Sequence, residues 1–168
     1  MLKVYNSYKK FISGMGKAID VVTVLLMLGM VGVVFYQVIM RQIFERPPIW
    51  GEEISVTLMI WFVFLGIVLG FEENLHIGIA MFVSKLPKKA QLVIEVLINV
   101  LILVFALILL VYGYALASRM LGFGTALTAT GLPVAIHYSV VPIAGALMIL
   151  VALGKIAGEI INREELPS

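Results

Sequence analysis

The chain is 168 residues long, 62% hydrophobic and 13% charged, with a mean hydropathy of +1.11. Soluble domains run at about 45–50% apolar and about 25% charged, so this composition excludes a water-soluble globule and requires lipid as solvent. The absence of cysteine excludes disulfides, thiolate chemistry, iron–sulfur clusters and cysteine zinc sites, and a net charge of +2 without a basic patch excludes a nucleic-acid surface.

At the amino end, Val4, Tyr5, Tyr8, Phe11, Ile12 and Met15 recur at helical spacing, with Lys3, Lys10 and Lys17 on another face. That pattern predicts an amphipathic helix over about 3–17, lying among lipid headgroups. No A-x-A-like cleavage site follows, and the next apolar run is too long for a signal peptide. Val21 to Met40 is uncharged and ends at Arg41. At about 1.5 Å per residue it crosses a hydrocarbon core of about 30 Å, which predicts a first span over about 20–41.

Glu45-Arg46-Pro47-Pro48 breaks the pattern with a tight turn, and a second span is expected over about 53–71. It carries Trp61 and a small-residue Gly66-x-x-x-Gly70 face, with Trp50 just before it as a candidate interface aromatic. His76 to Leu86 is too short to span and reads as a short interfacial helix ended by Pro87. A third span follows over about 90–119. Gly122, Gly124, Thr125, Thr128, Thr130, Gly131 and Pro133 then mark a loop, and a fourth span over about 133–155 contains Pro142. Residues 156–168 form a polar tail. The expected fold is an all-α integral membrane protein: one domain over 1–168, with four transmembrane helices, an amphipathic N-terminal helix and a short interfacial helix between spans 2 and 3.

Four spans put both termini on one side. That side collects nine lysines and arginines, against Arg41, Arg46 and Arg119 on the other. The positive-inside rule then places both termini in the cytoplasm, and Arg41, Trp50, Glu52, Glu53 and the 119–133 loop outside.

Arg41 ends one helix and Glu52-Glu53 begin the next, so a short hairpin brings them to one interface. An ion pair locking the hairpin is the main expectation, because an arginine and a carboxylate satisfy each other where water is scarce. A docking surface for a partner and a role in ion coupling are the alternatives. His76 and His137 fall at opposite ends of the spans, so each is expected to be a hydrogen-bonded interface residue rather than half of a metal site. Gln37 and Asn99, within spans, are expected to hold helices together. No span interior holds Asp, Glu, Lys or Arg, and neither a catalytic set, a metal-ligand spacing nor a phosphate loop stands out. No catalytic, cofactor-binding or metal residue is therefore assigned, and the chain is not expected to be an enzyme.

At these residues the sequence resembles a known family. Gln37-Val38-x-x-Arg41, Trp50-x-Glu52-Glu53, Gly66, His76-Ile77 and Leu86-Pro87 look like the motifs of the small membrane subunit (DctQ-like) of tripartite ATP-independent periplasmic (TRAP) transporters. Leu132-Pro133, Tyr138, Pro142-Ile143 and Leu147-Met148 are similar to the family's closing segment. The resemblance runs from about residue 20 to 155 and rests on the order and spacing of the motifs.

It implies a sodium-coupled transporter in the bacterial inner membrane that takes up an organic acid, with sialic acid favoured over a C4-dicarboxylate on family precedent alone. The implied partners are the large membrane subunit, which this chain would scaffold, a periplasmic substrate-binding protein it would help dock, and lipid. Gln37, Arg41, Trp50, Glu52, Glu53, Gly66, Gly70, His76, Tyr138 and Pro142 are the candidate structural and subunit-interface residues. The rival reading is a small homodimeric four-helix multidrug-type exporter. Such a protein looks like it needs a membrane-embedded glutamate, which the first span here lacks.

Overall fold

A computed structural model describes residues 2–72 and 87–164. Four helices account for nearly all of them: α1 (Leu2–Ile43), α2 (Ile49–Glu72), α3 (Lys88–Gly122) and α4 (Ala135–Glu164). Each contains an apolar stretch long enough to cross a bilayer, namely Ile12–Ile43, Ile49–Glu72, Val96–Gly122 and Ala135–Ile156. The protein is thus an all-helical, multi-pass membrane protein. The expected interfacial helix between spans 2 and 3, and His76 within it, lie outside the described residues.

The amino-terminal segment is not a separate element. α1 runs 42 residues without a break, about 63 Å at helical rise, so the segment expected over 3–17 and the first span are one helix. The reason is local: no proline falls in the first 20 residues, and a glycine, as at Gly14 and Gly16, costs a helix only about 1 kcal/mol. Pro47 and Pro48 follow the end of α1. There Glu45 turns left-handed at φ 53°, and Arg46 donates its backbone N–H to the Met40 carbonyl at 3.2 Å, closing the last turn.

The helices do not close a symmetric bundle. α1 packs on α2, both pack on α4, and α3 packs on α4 alone. α4 is therefore the hub, and the buried residues gather round it. Val140, Ala144 and Met148 meet Leu65, Val68, Ala106 and Ile19, while Val151 and Ala152 meet Phe71. The α3–α4 seam is the tightest. A Cβ on Gly145 would lie 2.7 Å from Leu110 N and 2.9 Å from Ala106 O, so the two backbones touch there. Gly113 makes room for the Pro142 ring, whose Cδ would lie 3.0 Å from a Cβ at that position. α4 continues as helix through Pro142. Large apolar side chains on the outer faces of α1 and α3 remain exposed, including Leu25, Phe35, Leu97, Leu101 and Val111, as expected of surfaces that meet lipid or another membrane protein.

Candidate functional site: two clasps at the ends of the second helix

α2 presents nearly opposite faces to its two neighbours. Gly51 and Ser55 look toward α1, whereas Glu53, Thr57 and Trp61, one turn apart in succession, look toward α4 and the loop before it. A two-residue step on a helix turns the side chain by about 200°, and that step separates Ser55 from Glu53. Much of the site's geometry follows from this.

On the α1 side, Gln37 donates from Nε2 to Ser55 Oγ at 2.9 Å, and Ser55 passes its own proton to the Gly51 carbonyl at 2.8 Å. A Cβ on Gly51 would sit 2.6 Å from the Gln37 side chain, so glycine here lets the glutamine in. Trp50 stacks on Tyr36 with centroids 5.9 Å apart and an interplanar angle of 23°. The hairpin is therefore held by Gln37, Ser55 and an aromatic pair. Gln37→Leu should weaken it by about 1 kcal/mol, the usual size of an interhelical hydrogen bond in a membrane, as read by reversible unfolding in mixed micelles.

The expected Arg41–glutamate lock is not formed. Among the described residues no ion pair joins Arg41 to Glu52 or Glu53. Arg41 and Glu52 are exposed, and Glu53 faces away from α1 for the reason just given. The Glu53 carboxylate instead grips the loop between α3 and α4. Oε1 accepts from Ala129 N at 2.9 Å and Thr128 Oγ1 at 3.1 Å, and Oε2 accepts from Thr130 N and Thr130 Oγ1, both at 2.9 Å.

The loop has a shape of its own to be gripped. Ala126 and Pro133 form an antiparallel bridge, Leu127 N donates to Leu132 O at 2.8 Å, and Val134 N donates to Thr125 O at 3.0 Å. Gly131, at φ 70°, lets the tip turn while its N–H bonds to Leu127 O at 2.9 Å.

One turn below, Thr57 gives its only hydroxyl proton to the Glu53 carbonyl at 2.7 Å. The 2.6 Å contact between Thr57 Oγ1 and His137 Nε2 then requires the histidine to be the donor, which sets its Nε2–H form. One turn further, Trp61 Nε1 donates to Ile136 O at 3.0 Å. His137 is thus hydrogen-bonded between helices, as its sequence position suggested.

A second clasp closes the other end of α2. Lys155 of α4 donates to the Phe71 carbonyl, and its ammonium lies 4.3 Å from the centroid of the buried Phe71 ring. Both contacts suit a cation at a helix carboxyl end, where the carbonyls lack intrahelical partners. The Glu72 carboxylate lies against Gly16 of α1, where any Cβ would collide with it. α2 is therefore held at one end by Glu53 and at the other by Lys155.

Of the remaining sequence candidates, Tyr138 and Gly70 are half-buried, and Gly66 faces open space with nothing within 4 Å of a Cβ placed there. Sequence reasoning missed Thr57, Ser55 and Lys155 as interhelical contacts. The signal for the first was present: Glu53, Thr57 and Trp61 are spaced i, i+4, i+8 in an otherwise apolar span. Among the described residues, no group of three or more His, Cys, Asp or Glu is placed to hold a metal ion.

These features join α1, α2, α4 and the loop before α4 to one another. The chain is 29% identical over 138 residues to the sialic acid TRAP transporter small permease protein SiaQ of Vibrio cholerae, covering 82% of this chain and 78% of that protein. It is 28% identical over 144 residues to a protein described as a TRAP transporter small permease in Haemophilus influenzae, covering 86% and 88%. A further match, 25% identical over 88 residues, is to the sialic acid TRAP transporter permease protein SiaT of Haemophilus influenzae. It covers 52% of this chain but 14% of SiaT. Residues 30–161 match the family described as the DctQ component of tripartite ATP-independent periplasmic transporters, and the chain belongs to that family.

Proposed function

We propose that this chain is the non-enzymatic, fixed support for the large membrane subunit of a sodium-coupled transporter that takes up an organic acid. The observation that carries the reading is the pair of clasps on α2. Glu53 of α2 and Lys155 of α4, acting at opposite ends of α2, are both engaged within the chain and tie α2 to the loop before α4 and to α4 itself. A unit braced in this way suits a static role beside a moving partner. In SiaT the stretch similar to this chain is a small part of a much longer permease, which supports the pairing with a large subunit. Sialic acid is the favoured substrate, by similarity to SiaQ. Family membership gives no support to the rival exporter reading.

The membrane would be the bacterial inner membrane, with both termini cytoplasmic by the distribution of lysine and arginine. The Glu53-held loop then faces the periplasm, where a substrate-binding protein docks. Reconstitution tests the reading. Sodium-driven sialic acid uptake with the binding protein added should require this chain and the large subunit together, and neither alone should support it. Transport by this chain alone would refute the supporting role. Uptake of a C4-dicarboxylate in place of sialic acid would redirect the substrate assignment without touching that role.

A further inference from the structure

We infer that the 128–130 turn is a binding site for the carboxylate group of a small organic acid, with Glu53 as its resident and exchangeable ligand. The turn offers four donors to one carboxylate, in matched pairs. Ala129 N and Thr128 Oγ1 reach one oxygen at 2.9 and 3.1 Å, and Thr130 N and Thr130 Oγ1 reach the other, both at 2.9 Å. Two donors to each of two oxygens is the pattern that a bidentate carboxylate fills. All four donors are uncharged, so the turn supplies no cation of the kind that favours a dianion such as phosphate.

The loop sets these donors, and the ligand does not. The bridge between Ala126 and Pro133 and the backbone bonds of Leu127, Gly131 and Val134 hold the turn, and none of them uses Glu53. Leu132 N–H points at Thr130 Oγ1 at 3.5 Å, which leaves the hydroxyl proton of Thr130 to face the carboxylate. Successive backbone N–H groups held in a turn form an anion-binding concavity. A receptor built in this way keeps its shape when its ligand leaves, and so can take another.

The resident can leave without unfolding the chain. When the Glu53 carboxylate swings away, the Thr57–His137 and Trp61–Ile136 contacts and the Lys155 clasp still hold α2 to α4. Thr128 and Ala129 are exposed, so an acid dissolved in water reaches their donors directly.

The test uses acetate as the probe and two forms of the full chain in mixed micelles. In Glu53→Ala the turn has lost its resident, and hydrogen exchange at the Ala129 and Thr130 amides is the readout. Four neutral donors in water correspond to a Kd of about 50 mM, so about 200 mM acetate should slow exchange at both amides about fivefold. Leu127 and Gly131 should not respond, and chloride at equal ionic strength should have no effect. In the wild-type chain acetate competes with a tethered carboxylate. The Glu53 side-chain carboxyl resonance should therefore be half-shifted only at about 0.5 M acetate, roughly tenfold higher. Slowing by chloride as large as that by acetate would make the turn an unselective anion site and overturn the carboxylate assignment. The inference also fails if acetate does not slow exchange in Glu53→Ala, or if the wild-type resonance is unmoved at about 1 M. The wild-type titration decides the matter even where Glu53→Ala does not fold.

Discussion

Replacing Glu53 with alanine is expected to release the 128–130 turn from α2 while leaving the loop folded. The carboxylate supplies the acceptors for Ala129 N, Thr130 N and two threonine hydroxyls, whereas the bridge at Ala126 and Pro133 and the bonds at Leu127, Gly131 and Val134 do not involve it. Hydrogen exchange at the Ala129 and Thr130 amides should therefore quicken about 10- to 100-fold, as befits loss of charge-assisted hydrogen bonds, with Leu127 and Gly131 little changed. Uptake by the reconstituted transporter should fall in parallel if the loop must be held for the binding protein to dock. Glu53→Gln should behave almost as badly, because its amide nitrogen would face donors on the loop. Glu52→Ala is the control, since Glu52 is exposed and takes no part in the clasp. Equal exchange in wild type and Glu53→Ala would mean that the loop is not held by this carboxylate in the membrane.

Gly145→Leu should be strongly destabilising. The new side chain would begin 2.7 Å from Leu110 N and 2.9 Å from Ala106 O, both backbone atoms of α3 that no rotamer change can move. α4 is the hub of the fold, so pushing it off α3 disturbs the main core. The expected loss is about 3 kcal/mol, the upper part of the range for overpacking, measured by reversible unfolding in mixed micelles. Gly66→Ala is the contrast. Nothing lies within 4 Å of a Cβ there, and the exchange should be neutral or stabilising by up to about 1 kcal/mol in the isolated chain. A Gly145→Leu protein that unfolds like wild type would show that α3 and α4 do not touch as closely in a bilayer.

Much of the fold was legible because length and hydrophobicity alone decide what can cross a membrane. The polar contacts were read less well, and Arg41 and Glu53 show why. Both are charged and both stand near the same hairpin, so opposite sign suggested a pair. Charge has no direction in a sequence, but a side chain has one on a helix. Glu53 is two residues from Ser55, which looks toward α1, and so it looks the other way, to a loop 75 residues later in the chain. Gln37 was the better-read residue, since a lone amide within a span must find a partner nearby.

By itself, then, the sequence determined that lipid is the solvent, that four segments span it, where the Pro47-Pro48 turn and the glycine- and threonine-rich loop fall, and, through ordered motifs, which family the chain belongs to. These properties depend on sums over many residues, such as length, transfer free energy and the distribution of glycine and proline, and sums survive without coordinates. Only the tertiary structure decided that α4 is the hub, that among the described helices α3 packs on α4 alone, and that Glu53 and Lys155 close the two ends of α2. Those outcomes depend on the rotation of each helix about its axis. In a span apolar on every side, the hydrophobic pattern sets that rotation only weakly. A few close-packed glycines and side-chain hydrogen bonds set it instead.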